Sequence, residues 1–368
     1  MRVALIVERF EASAGGGEHA VWNVARELVR AGDEVHVLCR RGVDAPGLTV
    51  ERLATPSFWQ PLRVRAFDRN VRRALSRRQF DIVHSFSRTL VQDVFHVGGG
   101  CHADYMQNTY GSRGSKLRRF SPRHRTLLSL ERKIFENPKV IAQCVSKMVQ
   151  REIAERYDVP EARLPVIYYG VDVARFAPER HRGDRAAIRS GFGVGDATVW
   201  LFAGSGWVRK GLDIAIEALS RVDDGGTQLW VAGKDDPKRW RALADRLGVG
   251  ERVRFLGART DLDRCYAAVD GLLLPTRYDA FGLVCLEAAA AGLPVVASNN
   301  AGASELFESC GRVVHDSANA AAYAQELNDL AQPQVREELG ARALTMARQH
   351  DWSQHVASLR ALYRDVRR

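Results

Sequence analysis

Twice along this chain, short runs of branched apolar residues alternate with segments of helical periodicity, and that alternation limits the fold before any single residue is weighed. RVALIV from residue 2 reads as a strand, a Gly-rich loop follows, and from about Glu18 to Ala31 the residues Val21, Val24, Ala25, Leu28 and Val29 recur at helical spacing. Gly32 stands where a left-handed helix stop belongs, and EVHVLC is the next strand. FDIVHSF, QDVFHV and KVIAQCV are short and rich in branched residues, as buried parallel strands are. The series restarts at TVWLFA, residues 198–203, and continues as helix (Leu212, Ala215, Ile216, Leu219), strand QLWVA, helix PKRWRALADRL, strand VRFL, helix DLDRCYAAV, strand GLLLP, helix, strand PVVAS. Strands alternating with helices in this way predict two doubly wound α/β domains, residues 1–178 and 179–351. The polar stretch from about 179 to 197 is the expected linker. DWSQHVASLRALYRDVRR, residues 351–368, predicts an amphipathic helix over 352–368 with Val356, Leu359 and Leu362 on one side, able to pack on either domain. Ligands of such sheets sit beyond the carboxyl ends of the strands, so two facing sheets would put the active site in the cleft between them.

Composition agrees with two cores: 368 residues are too many for one, and 46% hydrophobic residues exclude a disordered or fibrous chain. Six cysteines, at 39, 101, 144, 265, 285 and 310, form no CxxC pair and have no histidine at metal spacing, which points to a reducing, cytoplasmic setting rather than a disulfide framework or zinc site. The five apolar residues after Arg2 are too few for a signal peptide, and no uncharged apolar stretch is long enough to span a membrane. The net charge of +10 is uneven: Arg113, Lys116, Arg118, Arg119, Arg123 and Arg125 fall together with no acid between Gly111 and Leu130. That cluster has either an anionic partner or only solvent.

Three constellations carry chemistry. In PTRYDAFGLVCLEAAAAGLPVVAS a strand ends at Pro275, a loop carries Asp279, and a helix opens near Phe281 and Gly282. The free amides of such a first turn, with the helix dipole, make an anion site, and Gly282 would let a phosphate approach the backbone. Glu287, in the second turn, would reach a ribose hydroxyl pair; a capping Asp279 and a solvated Glu287 are the alternative reading. In GSGWVRKGLDIAIEAL, Arg209 and Lys210 follow a strand end and precede a helix. Two cations there can grip a diphosphate and offset the charge that grows on it as a glycosidic bond breaks. In AGGGEHAVWNVA, Gly15, Gly16 and Gly17 let backbone face a ligand, or form a tight turn. This is not GxGxxG, and no acid ends EVHVLC, so a nicotinamide site is not indicated. His96 and His102, in VFHVGGGCHADYMQ, lie near another strand end, where either could polarise an acceptor hydroxyl or contact a sugar. Asp261 and Asp263 form a DxD, but both open a predicted helix and read as caps, as do Asp235 and Asp236 before Pro237.

In order along the chain, GGGEH, CVSKMV, VIYYGVDVARFAP, WVRKGLDIAIEAL and YDAFGLVCLEAAAAGLPVVAS resemble the retaining glycosyltransferases of the GT-B fold, family 4. Within that family the chain looks most similar to lipopolysaccharide core glucosyltransferases, which use UDP-glucose at the inner face of the cytoplasmic membrane. The resemblance implies two facing Rossmann-like, doubly wound domains with an interdomain active-site cleft, and a C-terminal helix, 352–368, that crosses back to complete the first domain. It implies that Arg209 and Lys210 bind the donor diphosphate, that Phe281, Gly282 and Leu283 contact phosphate and sugar through backbone amides, that Glu287 binds the ribose, and that Gly16 and Gly17 line the donor site from the first domain. The family pairs two glutamates where this chain has Asp279 and Glu287, so the first carboxylate is one methylene shorter against the sugar's 3- and 4-hydroxyls. Related core transferases carry an Asp where this chain has Gly99, and that departure favours His102 over His96.

The activity expected is therefore transfer of a hexose, glucose from UDP-glucose, to a hydroxyl of a lipid-linked glycan such as lipopolysaccharide core, with retention. No side chain stands out as a covalent nucleophile, so attack is expected on the front face, with Arg209, Lys210, Asp279 and His102 as the catalytic set. Fixed cations and helix amides would take the part of a metal, so no metal and no cofactor are expected. The basic cluster falls where core transferases face the membrane beside the acceptor, and each Lys or Arg near an anionic leaflet is worth roughly 1 kcal/mol, so peripheral attachment to the inner face of the cytoplasmic membrane is expected. Other donors of the same family (GDP-mannose, UDP-galactose, UDP-N-acetylglucosamine) and a sugar-nucleotide epimerase are the rivals. A nucleic-acid module has no motif and no interleaved aromatics to support it.

Overall fold

The computed structural model describes residues 1–12, 15–56, 58–181 and 183–367; Arg182, in the expected linker, and Arg368, at the end of the expected final helix, lie outside the described residues. Contacts divide the chain into two compact units, Met1–Tyr169 with Trp352–Arg368, and Gly170–Asp351.

The first unit runs β1 (Arg2–Phe10), α1 (Gly16–Arg30), β2 (Glu34–Gly42), β3 (Leu48–Arg52), α2 (Gln60–Leu75), β4 (Ile82–Ser85), β5 (Val94–Val97), α3 (His102–Arg118), α4 (Pro122–Glu136), β6 (Ile141–Cys144) and α5 (Lys147–Tyr157). Its sheet has the order β3-β2-β1-β4-β5-β6 and every pair is parallel. The helical spacing read in the sequence is the buried face of α1, where Ala20, Val21, Val24, Ala25 and Leu28 lie against the sheet.

The second unit runs α6 (Val173–Phe176), α7 (Arg185–Phe192), β7 (Val199–Ala203), α8 (Leu212–Leu219), β8 (Gln228–Ala232), α9 (Lys238–Arg246), β9 (Val253–Gly257), α10 (Leu262–Ala268), β10 (Gly271–Leu274), α11 (Leu283–Ala290), β11 (Val295–Ser298), β12 (Arg312–Val314), α12 (Ala320–Asp329) and α13 (Pro333–Ala347). Its sheet, β12-β11-β10-β7-β8-β9, repeats the order of the first. In each, the winding reverses beside the first strand, between β1 and β4 and between β7 and β10, which is where such sheets open a crevice for ligands. Pairing of Gly271 with Trp200 and of Leu272 with Leu201 sets the loops leaving β7 and β10 side by side.

Three sequence expectations are corrected. Residues 170–178, assigned to the first domain, pack in the second: Phe176 meets Tyr266 edge-on at 5.6 Å. The expected linker contains α7, which Arg189 ties down by donating to the carbonyls of Gly195 and Ala268 at 3.0 and 2.8 Å, so a polar composition hides a packed helix. In α14 (Trp352–Arg367) the buried face is Val356, Leu359 and Tyr363, with Leu362 only half-buried. That helix packs on the first unit: His355 Nδ1 lies 2.7 Å from the Tyr168 carbonyl, Tyr363 hydroxyl 2.6 Å from His84 Nδ1, and Arg360 Nε 2.9 Å from Asp33. Its apolar side chains contribute about 1.5–3 kcal/mol each on full burial. Among the described residues no helix is long and apolar enough to cross a membrane.

Candidate functional site

The charged residues picked out in the second half of the sequence meet within the second unit, at its switch point. From β7 the chain enters a loop that carries Arg209 and Lys210, and the lysine stem folds back over Gly204. A Cβ there would lie 2.6 Å from Lys210 Cε, and Gly204 has φ +116, so both the backbone path and the room for the lysine require glycine. Lys210 is only 7% exposed. Its Nζ donates to Asp279 Oδ2 at 3.1 Å, while Arg209 donates to the Tyr278 carbonyl at 2.6 Å and stands 3.5 Å from the same Asp279 oxygen. A buried ammonium needs such a counter-charge.

Burial works to raise the Asp279 pKa, but the charges of Lys210 and Arg209, a bond from Lys210 and the Phe281 backbone N–H outweigh it and hold the carboxyl down at about 2. Asp279 does not cap α11, whose N-cap is Gly282; it is the counter-ion of the cation pair. Two cations on one carboxylate leave an unspent positive charge. Beside it α11 starts at Leu283 after Gly282 (φ +96), and the leading amides of a helix have no acceptor inside it. Phe281 is buried, and its carbonyl accepts from Ala303 N at 2.7 Å. Glu287, half-buried, accepts from the Tyr266 hydroxyl at 3.0 Å; burial raises its pKa against the lowering effect of that bond and of Arg175 and Lys210.

One supporting residue was misread in the sequence. Asp235 takes the backbone N–H groups of Gly206 and Trp207 at 2.8 and 3.2 Å, holding the start of the cation loop; only Asp236 serves the helix start, accepting from Lys238 N at 2.9 Å. The DxD pair does not cap α10 through its side chains: Asp261 pairs with Arg259 at 2.6 Å and Asp263 with Arg175 at 3.4 Å.

Gly16, Gly17 and His102 are carried by the first unit. Gly16 and Gly17 open α1 after an extended Gly15, and a Cβ at Gly17 would meet nothing within 4 Å. His102 begins α3 with its N–H held by both Glu131 oxygens at 2.9 and 3.1 Å, and its Nε2 is 3.0 Å from His124 Nδ1. Burial, and then the nearby charges of Arg88, His124 and Arg123, press its pKa to about 3, so at neutral pH it is an uncharged imidazole. His96 is different: Gln143 engages one ring nitrogen and Tyr169 hydroxyl the other at 2.6 Å, which makes it a packed core residue. Arg113, Lys116 and Arg118 lie on the end of α3, Arg119 just beyond, Arg123 and Arg125 at the start of α4, all exposed. Leu117 and Phe120 among them are 75% and 77% exposed.

Comparison with known proteins identifies the family. The family described as Glycosyltransferase Family 4 matches residues 14–175, and Glycosyl transferases group 1 matches residues 197–333. Lipopolysaccharide glucosyltransferase WaaG of Escherichia coli is 30% identical over 306 residues, 80% of this chain and 77% of that protein. A D-inositol 3-phosphate glycosyltransferase of Corynebacterium urealyticum is 28% identical over 92% of this chain and 83% of its own length. The crystal structure of WaaG superposes with a TM-score of 0.84 at 25% identity, covering 98% of this chain and 99% of that one. Anabaena HepE, solved with UDP and glucose, superposes at 0.76 over 99% of this chain and all of its own, with 20% identity. Two parallel six-stranded sheets of one winding, a cation loop and an acid-bearing helix start in the second, and these family matches across both halves make the chain a GT-B glycosyltransferase of family 4.

Proposed function

We propose that this glycosyltransferase moves glucose from UDP-glucose to a hydroxyl of a lipid-linked glycan such as lipopolysaccharide core, with retention at the anomeric carbon. The observation that carries the reading is the buried Lys210, set with Arg209 on one Asp279 carboxylate beside the start of α11. On this reading the diphosphate lies on the two cations and on the backbone of Gly282 and Leu283, the Phe281 N–H being held by Asp279, and the ribose lies on Glu287. Gly16 and Gly17 face the donor from the first unit, and Asp279 meets the sugar hydroxyls. The C1–O bond breaks as charge grows on the departing diphosphate, which Arg209 and Lys210 neutralise, and the acceptor oxygen forms the new bond on the same face. The acceptor's proton passes to the leaving phosphate. His102, neutral, takes a hydrogen bond to sugar or acceptor. Neither metal nor cofactor has a part in this scheme, and full turnover in excess chelator is its corollary.

Support for the donor comes from WaaG, named a glucosyltransferase, and from HepE with UDP and glucose bound. Support for the membrane comes from the six exposed cations and from Leu117 and Phe120 beside them, apolar tips of the kind that enter the headgroup layer of the inner face of a cytoplasmic membrane. The test is thermal shift of the pure protein with UDP, GDP, ADP and their sugar conjugates, repeated on the double variant Arg209→Ala, Lys210→Ala. Binding raises the melting temperature by mass action. A rise with UDP and UDP-glucose that vanishes in the double variant is expected; a rise with GDP-mannose alone would replace the donor, and no rise with any nucleotide would sink the reading.

A further inference from the structure

The cation loop is rich in glycine, with Gly204, Gly206 and Gly211 all at positive φ, and such a segment does not hold one shape by itself. Something outside it must fix where Lys210 points. We propose that Arg277, in the neighbouring loop after β10, is a positioning residue that sets Arg209 and Lys210 against Asp279. The proposal rests on the donor-site reading above and adds to it a residue that acts through Arg209 and Lys210.

The guanidinium of Arg277 spans the two cations from behind. One nitrogen donates to the Val208 carbonyl at 2.7 Å, just before Arg209; the same nitrogen and its neighbour take both oxygens of Asp213, three residues after Lys210, at 2.9 and 2.6 Å. The main chain adds to the grip. Arg277 N–H and the Thr276 hydroxyl both donate to the Arg209 carbonyl, at 2.8 and 3.1 Å, which fixes the peptide plane from which Lys210 departs. Arg209 returns the contact through the Tyr278 carbonyl. The two loops approach so closely at Gly211 that a Cβ there would lie 2.0 Å from the Pro275 carbonyl oxygen. Asp213 sits in the first turn of α8, where a carboxylate is favoured, so its pairing with Arg277 also anchors that helix start.

Magnitudes separate positioning from stability. Arg277 and Asp213 keep 30% and 38% of their side-chain exposure, and pairs this wet add little to folding even when bidentate. Position is another matter, since a misplacement of about 1 Å can cost on the order of 100-fold in rate. Three of the five N–H donors of Arg277 are committed to Val208 and Asp213.

The experiment is calorimetric binding of UDP, with melting temperature, on wild type, Arg277→Leu, Asp213→Asn, their double variant, Arg277→Lys and Lys210→Ala. Expected for Arg277→Leu is UDP binding weaker by about tenfold with the melting temperature nearly unchanged, a smaller loss for Asp213→Asn, and a double variant no worse than Arg277→Leu, as for residues acting through one contact. Arg277→Lys, able to hold one partner at a time, should recover part of the loss. Wild-type affinity in Arg277→Leu would overturn the clamp while leaving the donor site intact, as would a loss that tracks the melting temperature. A wild type that binds neither UDP nor GDP nor ADP, like Lys210→Ala, would instead remove the donor-site reading and the clamp with it.

Discussion

The two units share one strand order and put different side chains at the same place in it. In the second, the loops flanking the reversal between β7 and β10 hold Lys210, Arg209 and Asp279 in charged contact. In the first, the corresponding neighbourhood joins a neutral network to an acid between two arginines: Ser85 hydroxyl bonds the Ser87 carbonyl at 2.6 Å and meets Thr89 at 2.9 Å, Thr89 bonds Gln92 at 2.7 Å, Ser87 hydroxyl accepts Glu8 N at 2.9 Å, and the Glu8 carboxylate lies 3.7 Å from both Arg40 and Arg63. Behind that network His84 and His96 are buried on β4 and β5. The first unit's other charges lie at the surface, in the cluster from Arg113 to Arg125, or are paired off as Glu131 is with Arg88 at 2.9 Å. A winding fixes which edge can receive a ligand and leaves the charge of that edge to side chains, which is how one fold serves different roles in one chain.

The contrast can be broken at its strongest point by Lys210→Ala. If the buried charge of the second unit serves a developing negative charge, turnover with the true donor falls about 100- to 1000-fold, as when a single preorganised donor is removed elsewhere. Steady-state rates alongside a melting curve decide it: an unchanged rate would make the lysine no more than Asp279's structural partner.

Acid sharpens the other side. Burial drives the pKa of His84 well below its usual value, with His96 and His355 adding to the effect; burial likewise takes His96 to about 3 and His355 to about 4. An unfolded histidine takes up a proton near pH 6.5 and these folded ones do not, so the unfolded state binds more protons at lower pH. The stability they give is complete above about pH 6.5 and declines as the pH falls towards 4, by at most about 2 kcal/mol per histidine at pH 5. Chemical unfolding followed from pH 7 to 5 should show the slope, and its reduction in His84→Phe; a flat profile would mean that these rings titrate normally.

The smallest effect belongs to the surface. Replacing one of Arg113, Lys116, Arg118, Arg119, Arg123 or Arg125 by Gln should weaken association with phosphatidylglycerol vesicles by about 1 kcal/mol, and salt should do the same to all six together. Cosedimentation that ignores both changes would leave the cluster to solvent.

Much of this could be read from the sequence, because the signals are local. The runs rich in branched residues, such as VALIV and VWLFA, are strands, and the cations and acids of the second unit stand at strand ends where the winding brings them together. β3 escaped because LTVER has no buried run, and β12 because three residues carry no period. The supports escaped for another reason. Asp235, Arg277 and Glu131 act through bonds spanning 29, 64 and 29 positions in sequence, and no neighbour along the chain announces them. His96 and His102 look alike as letters; only their surroundings, two engaged nitrogens against a helix start, tell them apart.

The chain leaves the first unit at Tyr169 and re-enters it at Trp352, and next to these crossings Val171 N–H bonds the His350 carbonyl at 2.8 Å. The second unit is thus a single insertion whose two ends are tied together. On the ribosome this inverts the usual order of assembly, in which the earlier domain finishes first. All of the second unit has been synthesised before α14 is made, and it leaves the ribosome ahead of α14, while the first sheet still waits for Tyr363 and Val356 to cover it. An arrested or clipped nascent chain would then carry a finished second unit attached to an unfinished first.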